Sequence, residues 1–183
     1  QWHLDRDPRA FWPNQYANRN NSLAHYRTTM AEIAEALDGR VDWLFCATST
    51  CGTIRGCAEY VREHGMTTRV VAVDARGSVI FGGEPGRRLI PGLGAGIVPE
   101  LCPPAWIDEV IHVSDLDCVL GCRRLLRSEA IFAGGSSGGV ASAVFRVQDR
   151  VPPGARCVMI LPDRGERYLD TVYSDTWIKE CFG

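Results

Sequence analysis

Five short apolar runs alternate along the chain with amphipathic stretches, and this alternation restricts the fold more than any other feature. The runs are 41–47, Arg69–Val73, Glu109–Val113, Ile131–Ala133 and Cys157–Leu161. They are rich in β-branched residues and nearly continuous in apolar character, the pattern of strands covered on both faces. Helical periodicity predicts helices over Ser22–Leu37, Thr53–Glu63, Leu116–Arg127 and Ser137–Gln148, with a short one around Leu169–Glu180. Met30, Ile33, Ala34 and Leu37 form one apolar stripe, and Val119, Leu120, Leu125 and Leu126 another. Such alternation favours an α/β fold, a doubly wound parallel sheet with right-handed crossovers. With 183 residues, 45% of them hydrophobic, the chain has enough apolar surface for one domain over 1–183.

A net charge of −2 implies neither a nucleic acid nor an anionic membrane as partner. No apolar run approaches the roughly 18 residues of a membrane span. No secretory leader is visible, and the chain opens at Gln1 without methionine, which points to a piece of a longer protein. Eight cysteines are present in neither a C-x-x-C nor a paired Cys/His metal spacing. Most lie in apolar runs, so buried, reduced thiols and a cytoplasmic location are expected, and no metal.

The segment Ala47-Thr48-Ser49-Thr50-Cys51-Gly52-Thr53 lies between the first strand and a helix. Free N–H groups and the positive end of the helix dipole favour a phosphate there. An ordinary strand–helix turn with a Thr cap reads the same way. A nucleotide P-loop is excluded, because that motif places Lys after its second glycine whereas Thr53 follows Gly52. The only lysine is Lys179. At a helix N-terminus the Cys51 thiol is expected to be acidified and reactive, unless it is merely a small loop residue.

Two glycine-rich segments complete the pattern. Residues 76–106 carry Gly82-Gly83-Glu84-Pro85-Gly86 and Pro91-Gly92-Leu93-Gly94-Ala95-Gly96. Long glycine loops at strand ends border ligand sites, although an exposed linker has the same composition. Ala133-Gly134-Gly135-Ser136-Ser137-Gly138-Gly139 follows the fourth run. Its glycines permit close approach of a flat ligand and its serines offer hydroxyls, or it is a helix start with a Ser cap. One loop holding a phosphate and another presenting a hydroxyl to a ring nitrogen suit pyridoxal phosphate.

In this order the segments resemble the cysteine synthase branch of the tryptophan-synthase-β-like, pyridoxal-phosphate-dependent family. The cradle Ser49-Thr50-Cys51-Gly52-Thr53 matches the family's G-T-G-G-T, Gly92-Leu93-Gly94-Ala95-Gly96 its G-I-G-A-G, and Ser136-Ser137-Gly138 its S-S-G. Leu161-Pro162-Asp163-Arg164-Gly165-Glu166-Arg167-Tyr168 looks like its C-terminal signature. A narrower likeness is to the amine-using members that supply 2,3-diaminopropionate for siderophores such as staphyloferrin B. It rests on Asn14-Gln15-Tyr16-Ala17-Asn18, the stretch from Val73 to Gly82, Gly121-Cys122-Arg123, and Tyr173-Ser174-Asp175-Thr176-Trp177.

The resemblance implies the large cofactor domain of a homodimeric enzyme. Ser49, Thr50, Cys51, Gly52 and Thr53 would hold the cofactor phosphate, and Ser136 would face the pyridine nitrogen. Tyr16 and Ser49 would contact substrate, unless Tyr16 is a core aromatic. O-phospho-L-serine and L-glutamate would be joined with release of phosphate. A sulfide-using cysteine synthase and a non-catalytic phosphate- or partner-binding domain are the alternatives. The family's Schiff-base lysine belongs to an N-terminal part not represented here, and Lys179 lies in the wrong motif to replace it. By itself the chain is therefore expected to be inactive.

Overall fold

The computed structural model describes residues 5–183; Gln1, where the expected domain opens, lies outside the described residues. Four parallel strands form one sheet in the order β3-β2-β1-β4: β1 (Trp43–Ala47), β2 (Arg69–Ala75), β3 (Glu109–Val113) and β4 (Cys157–Met159). The chain winds outward from β1 to β3. It then returns across the other face to place β4 on the free side of β1. Strand order thus reverses between β1 and β4, and the C-terminal ends of these strands flank the crevice where α/β sheets bind ligands.

Alternation along β1 explains the two layers. Leu44 and Cys46 face a core completed by Ile54, Cys57, Ala58 and Val61 of α3 (Gly52–Glu63). Trp43 and Phe45 face the opposite core. That core includes Cys118, Val119 and Cys122 of α4 (Asp115–Glu129) and Val140, Ala143 and Val147 of α5 (Gly135–Val147). Burying a side chain such as Phe45 contributes about 1.5–3 kcal/mol, against roughly 0–1 for a surface ion pair such as Arg69–Glu109. The two apolar cores, not the ion pairs, hold the layers.

The expected strand Ile131–Ala133 is not one. Its only ladder contact among the described residues is a single antiparallel bridge between Ala133 and Arg164. Ala130 ends α4 in the left-handed region at φ +57°, and the next residues turn straight into α5. The helix expected over Ser22–Leu37 is α1 (Arg19–His25), a π-helical turn (Tyr26–Met30) and α2 (Ala31–Ala36) in succession. Around Leu169–Glu180 the helix is α6 (Asp175–Phe182), preceded by a 3-10 turn over Gly165–Tyr168. The Ser174 hydroxyl accepts from the Trp177 N–H and sets that later start.

The α4 stripe is also rotated from expectation. Cys118, Val119, Cys122 and Leu125 face inward, whereas Leu120 is 54% and Leu126 39% exposed. Cysteine acting as a small hydrophobe moves the buried face. A Cβ at Gly121 would collide with the Gly138 carbonyl, and one at Gly138 with that of Cys118. The glycines at 138 and 139 therefore let α5 approach α4 and the core rather than a flat ligand. The 76–106 segment is no exposed linker, since Ile80, Ile90, Leu93, Ala95 and Leu101 are buried.

Candidate active site

The phosphate-cradle sequence sits at the C-terminal end of β1. The Thr48 N–H and hydroxyl both donate to the Val73 carbonyl, at 2.9 and 3.1 Å, which ties the start of the turn to β2. Cys51 then adopts φ +63°, a left-handed conformation that costs a non-glycine residue roughly 1–2 kcal/mol. Cys51 stands where the resembling family has glycine. Gly52 opens α3; the Cys51 side chain makes no cap hydrogen bond, and the Gly52 N–H reaches the Thr50 hydroxyl at 3.4 Å. The Arg55 N–H reaches the Cys51 carbonyl at 3.0 Å, but the N–H groups of Thr53 and Ile54 lie too early in the helix for an intrahelical acceptor.

Two side chains of α1 shape this turn, and sequence reading missed both. Asn21 Nδ2 donates to Thr50 Oγ1 at 3.1 Å and to the Gln15 carbonyl at 2.8 Å. A Cβ at Gly52 would run into the Asn21 amide, so glycine is required by close approach. His25 Nε2 lies 3.1 Å from the Thr53 hydroxyl, and its Nδ1 lies 3.0 Å from that of Thr29. Burial lowers the His25 pKa and favours the neutral ring. The available signal was the i, i+4 spacing of Asn21 and His25 on one helix face.

The same Asn21 bond brings the Tyr16 segment beside the cradle. The Tyr16 carbonyl accepts from the Leu101 N–H at 3.2 Å, and its partly buried ring packs against the core that holds Cys51. Ser49 is partly buried on the turn. The expectation of an acidified Cys51 thiol is corrected. Contact with the Cys102 thiol and burial push it well above the ordinary thiol value. In this packing, desolvation and a neighbouring thiol outweigh the helix dipole.

At the second turn, the anion-binding end of α5 is already filled. Asp163 accepts from the N–H groups of Ser136 (3.2 Å) and Ser137 (2.9 Å), from the Ser137 hydroxyl (2.6 Å) and from the Tyr168 hydroxyl (2.7 Å). Burial alone would raise the Asp163 pKa, but these hydrogen bonds outweigh it and hold the carboxyl below its ordinary value. Ser137 is thus committed to Asp163. Ser136, 3% exposed, lines a cavity of about 600 Å³ with Ile90, Gly92, Asp163, Arg167 and Tyr168. Asp163 was legible only as part of a terminal signature, not as the cap of a helix.

The glycine loop joins the two turns. The Gly94 N–H donates to the Thr48 carbonyl at 2.7 Å, while Gly92 lines the Ser136 cavity. Beneath it, buried Asp74 accepts from the Ala75 N–H at 2.9 Å. Burial raises its pKa against hydrogen bonds from Ser78 and Thr48. Lys179 lies on α6, which packs through Trp177, Ile178 and Phe182 on the α4–α5 face.

A doubly wound sheet with a hydroxyl-rich helix start at its switch point is an arrangement in which α/β domains bind phosphate. The chain belongs to the pyridoxal-phosphate dependent enzyme family, whose model matches residues 2–163. Pyridoxal phosphate is that family's cofactor. The chain is 52% identical over 175 residues to the N-(2-amino-2-carboxyethyl)-L-glutamate synthase of Ralstonia nicotianae, covering 96% of this chain and 52% of that protein. The crystal structure of an O-acetylserine dependent cystathionine beta-synthase from Helicobacter pylori is similar with a TM-score of 0.86 at 30% identity. It covers 93% of this chain and 56% of its own. The chain spans about half the length of these relatives.

Proposed function

We propose that the protein carrying this chain uses pyridoxal phosphate to join O-phospho-L-serine and L-glutamate into N-(2-amino-2-carboxyethyl)-L-glutamate, releasing phosphate. The product would supply 2,3-diaminopropionate for a siderophore, in the cytoplasm, from a homodimer. One observation carries the cofactor reading: of two helix starts facing the crevice, α5 is filled by the Asp163 carboxylate, whereas α3 meets no carboxylate among the described residues and only its Gly52 N–H reaches a side chain, the Thr50 hydroxyl at 3.4 Å. The substrates rest on the likeness to the relative of that name.

The residues present fit the cofactor. Ser49, Thr50 and Thr53 supply hydroxyls, Cys51 and Gly52 shape the turn, and the first N–H groups of α3 point at an anion without needing lysine. Asn21 and His25 hold the Thr50 and Thr53 hydroxyls in place. Ser136 is the hydroxyl left to meet the pyridine nitrogen. When bound, pyridoxal phosphate supplies the electron sink that weakens a bond at the amino acid's Cα. A serine hydroxyl leaves the ring nitrogen unprotonated, whereas a carboxylate would keep it charged. The weaker sink suits prompt loss of a β-leaving group better than transamination. Tyr16 and Ser49 would position the phosphoserine or the incoming glutamate, whose two carboxylates need hydrogen-bond donors.

The test mixes the full-length protein with pyridoxal phosphate and O-phospho-L-serine, adds glutamate or sulfide, and measures released phosphate and product mass. The expected result is phosphate release coupled to the glutamate adduct. Cysteine formed with sulfide, without a glutamate adduct, moves the assignment to cysteine synthase. No release and no cofactor binding leaves a binding domain.

A further inference from the structure

One side chain of α3 reaches past the cradle turn and ties down the segment that carries Tyr16. The Arg55 guanidinium donates to the Leu101 carbonyl at 3.3 Å, and the Leu101 N–H donates to the Tyr16 carbonyl at 3.2 Å. Leu101 is buried in the core against which Tyr16 packs. Its two backbone groups therefore carry a hydrogen-bonded link from α3 to the Tyr16 segment. A second, independent link reaches the neighbouring peptide, where Asn21 joins the Gln15 carbonyl to the Thr50 hydroxyl.

The guanidinium itself is held by packing. Its carbon lies 5.3 Å from the centroid of the Trp106 ring, on the 3-10 turn Pro104–Trp106 just after Leu101. The Arg62 guanidinium, two turns further along α3, lies 5.7 Å from the same ring. A planar guanidinium is attracted to an aromatic face and keeps a fixed fork of donors. The Arg55 Nε is buried and makes no hydrogen bond among the described residues, so the ring and the Leu101 carbonyl set its place.

We propose that Arg55 is a positioning residue for the incoming glutamate: acting through Leu101, it fixes where Tyr16 stands relative to the cradle. The inference rests on the reading that Tyr16 contacts substrate. Without the guanidinium the Leu101 carbonyl loses its donor and the Tyr16 segment loses one of its two holds. The tyrosine then samples several positions, and glutamate binding must order it. Such a loss weakens binding in the ground state and the transition state alike, so it raises KM and spares kcat.

Hydrogen-exchange mass spectrometry and steady-state kinetics of the full-length protein with pyridoxal phosphate test the proposal. Arg55→Met keeps an apolar stem and removes the donors. Peptides covering residues 14–18 and 99–103 should exchange roughly tenfold faster. The glutamate KM should rise roughly fivefold, while kcat, phosphate release and cofactor affinity stay within about twofold. Arg55→Lys, which keeps a charged donor, should recover part of both effects. Trp106→Leu, which removes the ring, should move both in the same direction as Arg55→Met and carries the test if that variant does not fold. Unchanged exchange at 14–18 would overturn the link. Faster exchange with an unchanged glutamate KM, where Tyr16→Phe raises that KM, would overturn the positioning role and leave the reading of Tyr16 intact. An unchanged KM in both variants would overturn the Tyr16 reading and this inference with it.

Discussion

The two strand-to-helix turns look alike in sequence and are opposites in electrostatics. Both open a helix with glycine and hydroxyl residues, and in neither does the N-cap residue's own side chain cap the helix. At α5 the chain supplies its own anion, Asp163, from the segment after β4. At α3 the neutral side chains of Asn21 and His25 bind the hydroxyls and leave the first N–H groups without a carboxylate. A helix N-terminus is thus a structural joint where an acid fills it, and an anion site where the surrounding groups are donors or neutral.

The largest effect should come from emptying the filled end. Asp163→Ala leaves two amides and two hydroxyls without their acceptor and should cost about 3–5 kcal/mol in urea denaturation. An unchanged midpoint would show that the contrast between the turns has no energetic basis. The same carboxyl gives a pH signature. Its folded pKa is depressed, so its contribution is full above the unfolded value of about 3.9 and is lost as pH falls through the folded value. Wild type should therefore lose stability relative to Asp163→Asn as pH drops below about 4.

Next is the open end. Thr50→Val with Thr53→Val in the full-length protein should weaken pyridoxal phosphate binding by about 1.5–3 kcal/mol, roughly 10- to 150-fold, measured by equilibrium dialysis. Unchanged affinity would remove the cradle from the proposed site. Ser136→Ala should change affinity less than about threefold while slowing phosphate release, because its hydroxyl addresses the ring rather than the anion.

A close approach can be broken separately. Gly52→Ala pushes a methyl into the Asn21 amide and should cost about 1–3 kcal/mol by thermal denaturation. Adding Asn21→Ala makes room and should recover part of that loss. Additive losses in the double variant would show that the two residues do not meet. The smallest effect is expected at Ser49→Gly with Tyr16→Phe. It should lower glutamate addition several-fold while leaving phosphate release from O-phospho-L-serine nearly unchanged. Equal loss of both steps would return Tyr16 to the role of a core aromatic.

Elements with a complete local signal were legible. The strands β1, β2 and β3 and the helices α3, α4 and α5 lie within a few residues of their expected spans, because buried strands and amphipathic helices carry their pattern in consecutive residues. The hydroxyl turn after β1 was legible for the same reason. The Ile131–Ala133 run misled because three apolar residues cannot distinguish a sheet strand from a connection lying beside Arg164. The Cys51 thiol misled because its environment depends on Cys102, far along the chain.

By itself the sequence determined the layer type, the strand–turn–helix at the cradle and the family resemblance, all properties of short segments and their order. Tertiary structure decided the rest. It placed β4 beside β1, Asp163 on α5 from 26 residues beyond Ser137, and Asn21 against Thr50 from 29 residues before it. The physical reason is that a helix start is polarised by its backbone wherever it occurs, but whether an acid, an amide or open space meets it depends on which distant segment the sheet brings alongside.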